Sequence, residues 1–193
     1  MPGAGLSEVS LAVLRSAVRD PETIARYKAK IRQVNGLGCL WWTGAVSARG
    51  HGRFWLDKVD GHDVVVIAHR FAWAMTFGVE DLQTVPVLGH RCDNPLCQRL
   101  TDRHVTRSSP AENARAWAAR RHTIGNPLRD TRGSRGRAKA IRDQLRGNAP
   151  ATQVTAALNS GLHLDSAQLP LWHEVRPQDT ADEDRAGRAT SSA

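Results

Sequence analysis

The spacing of apolar positions divides the chain into a helical start, a strand-rich middle and a basic, helical end. Val9, Val13, Leu14 and Val18 recur at helical spacing over residues 7–18, with Ser7 placed to cap. Asp20-Pro21 opens a second helix with Ile24, Tyr27 and Ile31 on one face, ended by "NGLG" (35–38). Next, "LWWTGAV" (40–46) and "GRFWL" (52–56) read as strands around a "SARGH" hairpin turn. Asp60-Gly61 turns the chain into a further strand, "DVVVI" (63–67). "AHRFAWAMTFG" (68–78) is apolar enough for a buried helix closed by Gly78.

A short strand, "VPVLG" (85–89), leads into a long loop, and "RHVTR" (103–107) is the returning strand. "SSPAENARAWAARR" (108–121) then carries Ser109 as cap, Pro110 at the first helical position and Glu112 three residues after the cap. That is a capping box with the favoured proline. Beyond it, "NPLRDTRGSRG" (126–136) reads as a linker and 137–146 as a basic helix whose apolar face is Ala138, Ile141 and Leu145. A short helix near 151–159 and the apolar "LPLW" (169–172) are placed to pack back, and the residues from 176 lack periodicity and read as disordered. The division expected is 1–36 N-terminal helices, 37–122 core, 123–175 basic extension and 176–193 tail. The fold class is α+β: small β-hairpins, a strand–loop–strand–helix finger, N-terminal helices and a loosely packed basic helical extension.

Charge sharpens this picture. The 193 residues carry a formal net charge of +8, with 23 Arg against 4 Lys. Residues 99–146 hold 13 Arg and Lys against 4 Asp and Glu. Positive charge concentrated in one stretch points to a polyanion, most simply double-stranded DNA. The longest apolar run near a strand, "VVVIA" (64–68), is far short of the roughly 20 residues a membrane span needs. The N-terminus lacks the basic-then-apolar signal pattern, and three cysteines cannot close a disulfide framework. A cytoplasmic, intracellular protein without a membrane partner is expected.

The candidate chemistry lies in "GHRCDNPLCQRLTDRHV" (89–105). Cys92 and Cys97 flank a turn-forming "DNPL", His104 follows seven residues later, and Cys39 is the remaining cysteine. Thiolate and imidazole are the ligands zinc prefers, and a structural site takes four of them in a tetrahedron, so Cys39, Cys92, Cys97 and His104 form a complete set. His90, at a strand end, is a further ligand, a capped strand end or a general base. Asn113, in the first turns of the capped helix, is a solvated residue or an oxygen ligand for a hard cation such as Mg²⁺.

His90, Cys92-x4-Cys97, His104 and Asn113, in that order, resemble the His-Cys-box branch of the HNH (His-Me finger) endonucleases, whose core is the ββα-metal motif. "GCLWWTGAVSARGHGRFWL" (38–56) and "AHRFAWAMTFG" resemble segments of related phage and mobile-element nucleases, so the similarity covers about residues 26–121. The resemblance implies a homing-endonuclease-like, metal-dependent hydrolase of DNA phosphodiesters. His90 is then the general base, Asn113 the Mg²⁺ ligand, and Cys39 the residue that completes the structural zinc site; the products have 5′-phosphate and 3′-hydroxyl ends.

Arg99, Arg103, Arg107, Arg115, Arg120 and Arg121 are expected around the cleft as phosphate contacts, and Arg53 and Arg70 as contacts to substrate or transition state. A homodimer would allow both strands to be cut. The alternative readings are a non-catalytic, zinc-stabilised DNA-binding module and an accessory protein of a phage or mobile element. Three positions depart from the pattern: Gly89 stands where many HNH enzymes have Asp, Arg99-Leu100 replaces the usual Asn-Pro, and the interval to His104 is two residues longer than the common one.

Overall fold

The computed structural model describes residues 6–123 and 125–162. The N-terminal helices begin where their caps lie. In α1 (Glu8–Ala17) the Ser7 hydroxyl accepts from the Ser10 N–H at 3.2 Å; in α2 (Pro21–Lys28) the Asp20 carboxylate accepts from the Thr23 N–H at 2.8 Å. The buried face of α1 is Leu11, Leu14 and Ala17, whereas Val9, expected inside, is exposed. Helix α2 stops at Lys28, short of the expected "NGLG". Ile31 therefore leaves the helical face and enters β1 (Ile31–Gln33), which pairs antiparallel with β2 (Leu40–Trp42). Cross-strand pairing outweighs helix continuation at this point. Tyr27 closes α2 against Trp42, Phe54 and Phe71, with ring centroids 5.5, 5.4 and 4.9 Å away, and donates its hydroxyl to Gln98 Oε1 at 2.9 Å.

The stretch 40–46 is not one strand. It splits into β2 and β3 (Ala45–Val46), which belong to different sheets. The cause is Trp42, fully buried, whose indole lies against two glycine backbones. A Cβ on Gly44 would stand 2.4 Å from Trp42 Cζ2, and one on Gly52 would stand 2.5 Å from Cδ1. Strand β3 pairs with β4 (Gly52–Val59), which pairs with β5 (His62–Ile67) across Asp60 (φ 49°) and Gly61 (φ 81°). Two consecutive left-handed residues make the turn that matches strand twist. Phe54, Leu56, Val64 and Val66 point inward, toward the apolar face of α3 (Ala68–Phe77), which ends at Gly78 as expected. A short helix, α4 (Val79–Thr84), follows.

The finger is β6 (Val87–His90), a long loop, β7 (Val105–Ser108) and α5 (Pro110–Arg120). The capping box forms as predicted: Ser109 Oγ accepts from the Glu112 N–H at 3.1 Å, and Glu112 Oε2 from the Ser109 N–H at 2.8 Å. Among the described residues α5 buries no side chain; it lies across the hairpin with its polar face open.

The extension is docked rather than loose. Residues 126–136, expected as a linker, hold a 3₁₀ turn (Pro127–Arg129) and the start of α6 (Gly133–Arg146), which runs on to α7 (Ala151–Asn159). Ala138, Ile141, Leu145 and Val154 are buried in the same apolar cluster as Trp42 and Phe54. Asp130, with its carboxylate fully buried, pairs with Arg132 at 2.6 Å and lies 3.5 Å from Arg137 Nε. A buried, charge-paired carboxylate holds this segment in place. Arg146 also donates to the Thr43 carbonyl at 2.6 Å. The "LPLW" segment and the tail from 176 lie outside the described residues. Among those described, no helix is long and apolar enough to cross a membrane. The class is α+β: the described residues form seven α-helices and three small antiparallel sheets.

Candidate metal centre and active-site cleft

Backbone pairing assembles the four metal-ligand candidates. The Trp42 N–H donates to the Leu96 carbonyl at 2.9 Å and the Gln98 N–H to the Leu40 carbonyl at 2.8 Å. These bonds lay the Cys97 loop along β2 and bring it to Cys39. The Arg91 N–H donates to the His104 carbonyl at 2.8 Å, holding His104 beside the turn that carries Cys92. The extra residues before His104 form a turn closed by its own N–H on the Thr101 carbonyl at 2.9 Å, so the longer interval still delivers the ring. Gly38 leaves room for it, since a Cβ there would be 3.3 Å from His104 Cε1.

The ligand atoms of Cys39, Cys92, Cys97 and His104 all lie within 4.8 Å of one another. His104 Nδ1 is 3.7 Å from Cys39 Sγ and 3.5 Å from Cys97 Sγ. A tetrahedron with metal–sulfur bonds of about 2.3 Å has edges of about 3.7 Å, so the cluster has the size of a zinc site. Hydrogen bonds from Cys92 and then Cys97 hold the Cys39 thiol down to about 2. Bonding to Cys39 in turn pushes Cys92 up, and Cys97 up to about 11. Three thiolates together require a bound cation to offset their repulsion.

A second cluster went unnoticed in the sequence. Three imidazoles meet beside the metal centre: His90 and His69 have ring centroids 4.6 Å apart, and His51 is 5.5 Å from each. His90 Nε2 lies 3.3 Å from His69 Nδ1, and among the described residues His90 Nδ1 is buried without a hydrogen-bond partner. Burial, then the neighbouring His51, lowers His90 to about 3. His69 and His51 are also lowered, chiefly by burial. All three rings are neutral near pH 7. The β4–β5 register carries His51 and His69 together. Arg53 pairs with Ile67, so two residues further out on each side are positions 51 and 69. A bulge between Trp55 and Asp57 sets that register; a regular ladder from the Asp60-Gly61 turn would have put Arg70 opposite His51. The "AHR" and "RGHGRF" stretches were the available signal, but neither shows the bulge.

Asn113 comes over the same strand end. A Cβ on Gly89 would lie 3.2 Å from Asn113 Oδ1, which places the amide against the backbone next to His90. His90 and Asn113 together line a cavity of about 580 Å³, with His51, His69, Arg70, Trp117, Arg120 and Arg137 among its other walls. Both also line a smaller recess of about 190 Å³.

The expected arginines divide. Arg70 and Arg120 line the larger cavity, and Arg107 the recess. Arg120 already donates two 2.9 Å bonds to Asp93; Arg107 pairs with Asp81 and stacks over Trp73. Arg121 lies 4.6 Å over the exposed Trp117 ring. Arg99, Arg103, Arg115, Arg121 and Arg53 do not line either space, contrary to the expectation that the arginines near the finger ring the cleft. Among the described residues Arg99 Nε is buried and unpartnered, and the other four are exposed. Strand alternation turns Arg53 outward and the open face of α5 carries Arg115, while Arg103 lies in the turn before His104 and Arg121 caps the end of α5. Arg49 and Arg137, which do line the cavity, were missed.

The molecule is therefore an α+β protein with a Cys₃His cluster able to hold a metal ion such as zinc. Over 76 residues it is 37% identical to "Protein 7.7" of Escherichia phage T7. That stretch is 39% of this chain and 52% of the phage protein, so the chain spans about half the length of the curated relative it matches. No family model matches the chain, and no solved structure matches it.

Proposed function

We propose that the protein is a metal-dependent DNA endonuclease of the HNH, His-Cys-box type. The observation that carries this reading is the convergence of His90 and Asn113 on one cleft, on either side of Gly89. If His90 donates Nε2–H to His69 Nδ1, its Nδ1 keeps a free lone pair. That nitrogen accepts a proton from the water that attacks phosphorus. The imidazole holds that proton while the phosphorus–O3′ bond breaks. The leaving O3′ takes a proton from solvent water to become the 3′-hydroxyl, and the imidazolium then releases its own to solvent. His69 fixes the ring's tautomer and tilt.

Asn113 offers one neutral amide oxygen, a hard donor that fits a Mg²⁺ shell only if substrate phosphate and water supply the rest. When bound, Mg²⁺ supplies positive charge at the leaving oxygen. Zinc, held by Cys39, Cys92, Cys97 and His104, ties the loop together and takes no part in the chemistry. The DNA partner is supported by the basic stretch 99–146 and by Arg49, Arg70 and Arg137 in the cleft wall.

One feature favours a non-catalytic zinc-stabilised DNA binder instead: Gly89 contributes no carboxylate beside Asn113. Incubation of supercoiled plasmid with Mg²⁺ decides between them. Nicking by the wild type, lost in His90→Ala and Asn113→Ala, supports the enzyme. Equal DNA binding by all three without nicking supports the binder.

A further inference from the structure

Arg137 belongs to α6, outside the ββα finger, yet it lines the same cavity as His90 and Asn113. It is only 5% exposed. Among the described residues its Nε has no hydrogen-bond partner. Asp130 is 3.5 Å away, but that carboxylate already accepts from Arg132 Nε at 2.8 Å, Arg132 Nη2 at 2.6 Å and the Arg132 N–H at 3.0 Å. A guanidinium carries five N–H donors in a planar fork, and burying one with a donor idle is costly unless a ligand completes it.

The fold holds Arg137 at this wall deliberately. Gly50 (φ +84°) meets the start of α6 so closely that a Cβ would stand 2.6 Å from the Ser134 carbonyl oxygen. The same turn carries His51 and Arg49, which also line the cavity. The neighbouring carboxylate in this wall, Asp93, is taken by Arg120. Arg49, Arg70 and Arg137 thus share the cavity wall with the three imidazoles.

We propose that Arg137, supported by Arg49, binds a DNA backbone phosphate beside His90, so that the C-terminal extension completes the nucleic-acid cleft. Fork-to-phosphate bonding is the arrangement a guanidinium fits best. The proposal rests on the reading above that the polyanion is DNA.

The test measures binding, not cutting. Zinc-loaded full-length protein is titrated onto a labelled 30-base-pair duplex without Mg²⁺ over a series of salt concentrations. Arg137→Gln is expected to weaken Kd roughly tenfold, the loss of one charged hydrogen bond, and to reduce the slope of log K against log salt by about 0.9. Arg137→Lys is expected to keep the slope with a smaller loss of affinity, and Lys58→Gln, at the exposed far end of β4, to bind nearly as the wild type does. Tm and zinc content report folding. Asp130 keeps Arg132 in every variant, so the fold is expected to survive.

Wild-type affinity and slope in Arg137→Gln overturn the proposal, as does a wild type that fails to bind the duplex. If Arg137→Gln does not fold, Arg137→Lys decides: reduced affinity at unchanged slope supports the phosphate contact, and unchanged affinity overturns it. Plasmid nicking is scored separately. A protein that follows the expected binding pattern without nicking keeps the Arg137 site and loses the nuclease; one that nicks while Arg137→Gln binds normally loses only the Arg137 site.

Discussion

The Asn113 amide oxygen sits where a Cβ on Gly89 would reach to 3.2 Å. The strand end and the helix are thus in near contact beside His90. A carboxylate introduced at 89 would share a cation with Asn113. Gly89→Asp is expected to lower the Mg²⁺ concentration that half-saturates nicking, while Gly89→Ala, which adds only the tight Cβ, is expected to leave it unchanged or raise it. Nicking rates over a Mg²⁺ titration check this. Identical Mg²⁺ dependence in Gly89→Asp and wild type would sink the assignment of Asn113 to the cation.

His90→Ala removes the proposed base and should cost about 10²–10⁴-fold in cleavage rate, the usual range for a general base. Neither His90 nor Asn113 belongs to the Cys₃His cluster, so zinc content should stay at the wild-type value. His69→Gln is expected to lower the rate less, because it disturbs the tilt of His90 without removing it. A rate in His90→Ala within twofold of wild type would reject the mechanism.

Metal analysis should find about one zinc per chain, and Cys92→Ser should lose it. Cys39 and Cys97 are buried against β2, so metal loss should also lower Tm sharply, metal binding here being folding free energy. A folded, metal-free wild type would reject the zinc assignment.

Asp130→Asn removes the buried carboxylate that pairs with Arg132 and lies 3.5 Å from the Arg137 guanidinium. Loss of about 3 kcal/mol is expected, with faster proteolysis within 126–136. Burial by itself would raise the Asp130 pKa, but bonding to Arg132 and the charge of Arg137 bring it below the ordinary value. A carboxylate lowered on folding stabilises above its unfolded pKa and loses that stabilisation as pH falls through the folded one. The extension should therefore hold its protection at pH 5 and lose it below about pH 4. Limited proteolysis across that range, in wild type and Asp130→Asn, measures the difference.

The sequence by itself determined whatever depends on neighbours within a turn or two. Ser7, Asp20 and Ser109 start helices because a cap acts on N–H groups three residues away. Asp60-Gly61 makes its hairpin because the left-handed angles are local. The ligand quartet was legible because thiols and imidazole advertise their chemistry by type, and the cluster of Cys39, Cys92, Cys97 and His104 formed as expected.

Tertiary structure decided what depends on register and docking. Trp42, folding over Gly44 and Gly52, cut one expected strand into two. The β4 bulge chose His69 rather than Arg70 as the partner of His51. The buried Asp130 ion pairs turned an expected linker into the anchor that brings Arg137 to the cleft. Such long-range pairings depend on burial and charge shared between distant segments, so no single stretch of sequence carries them.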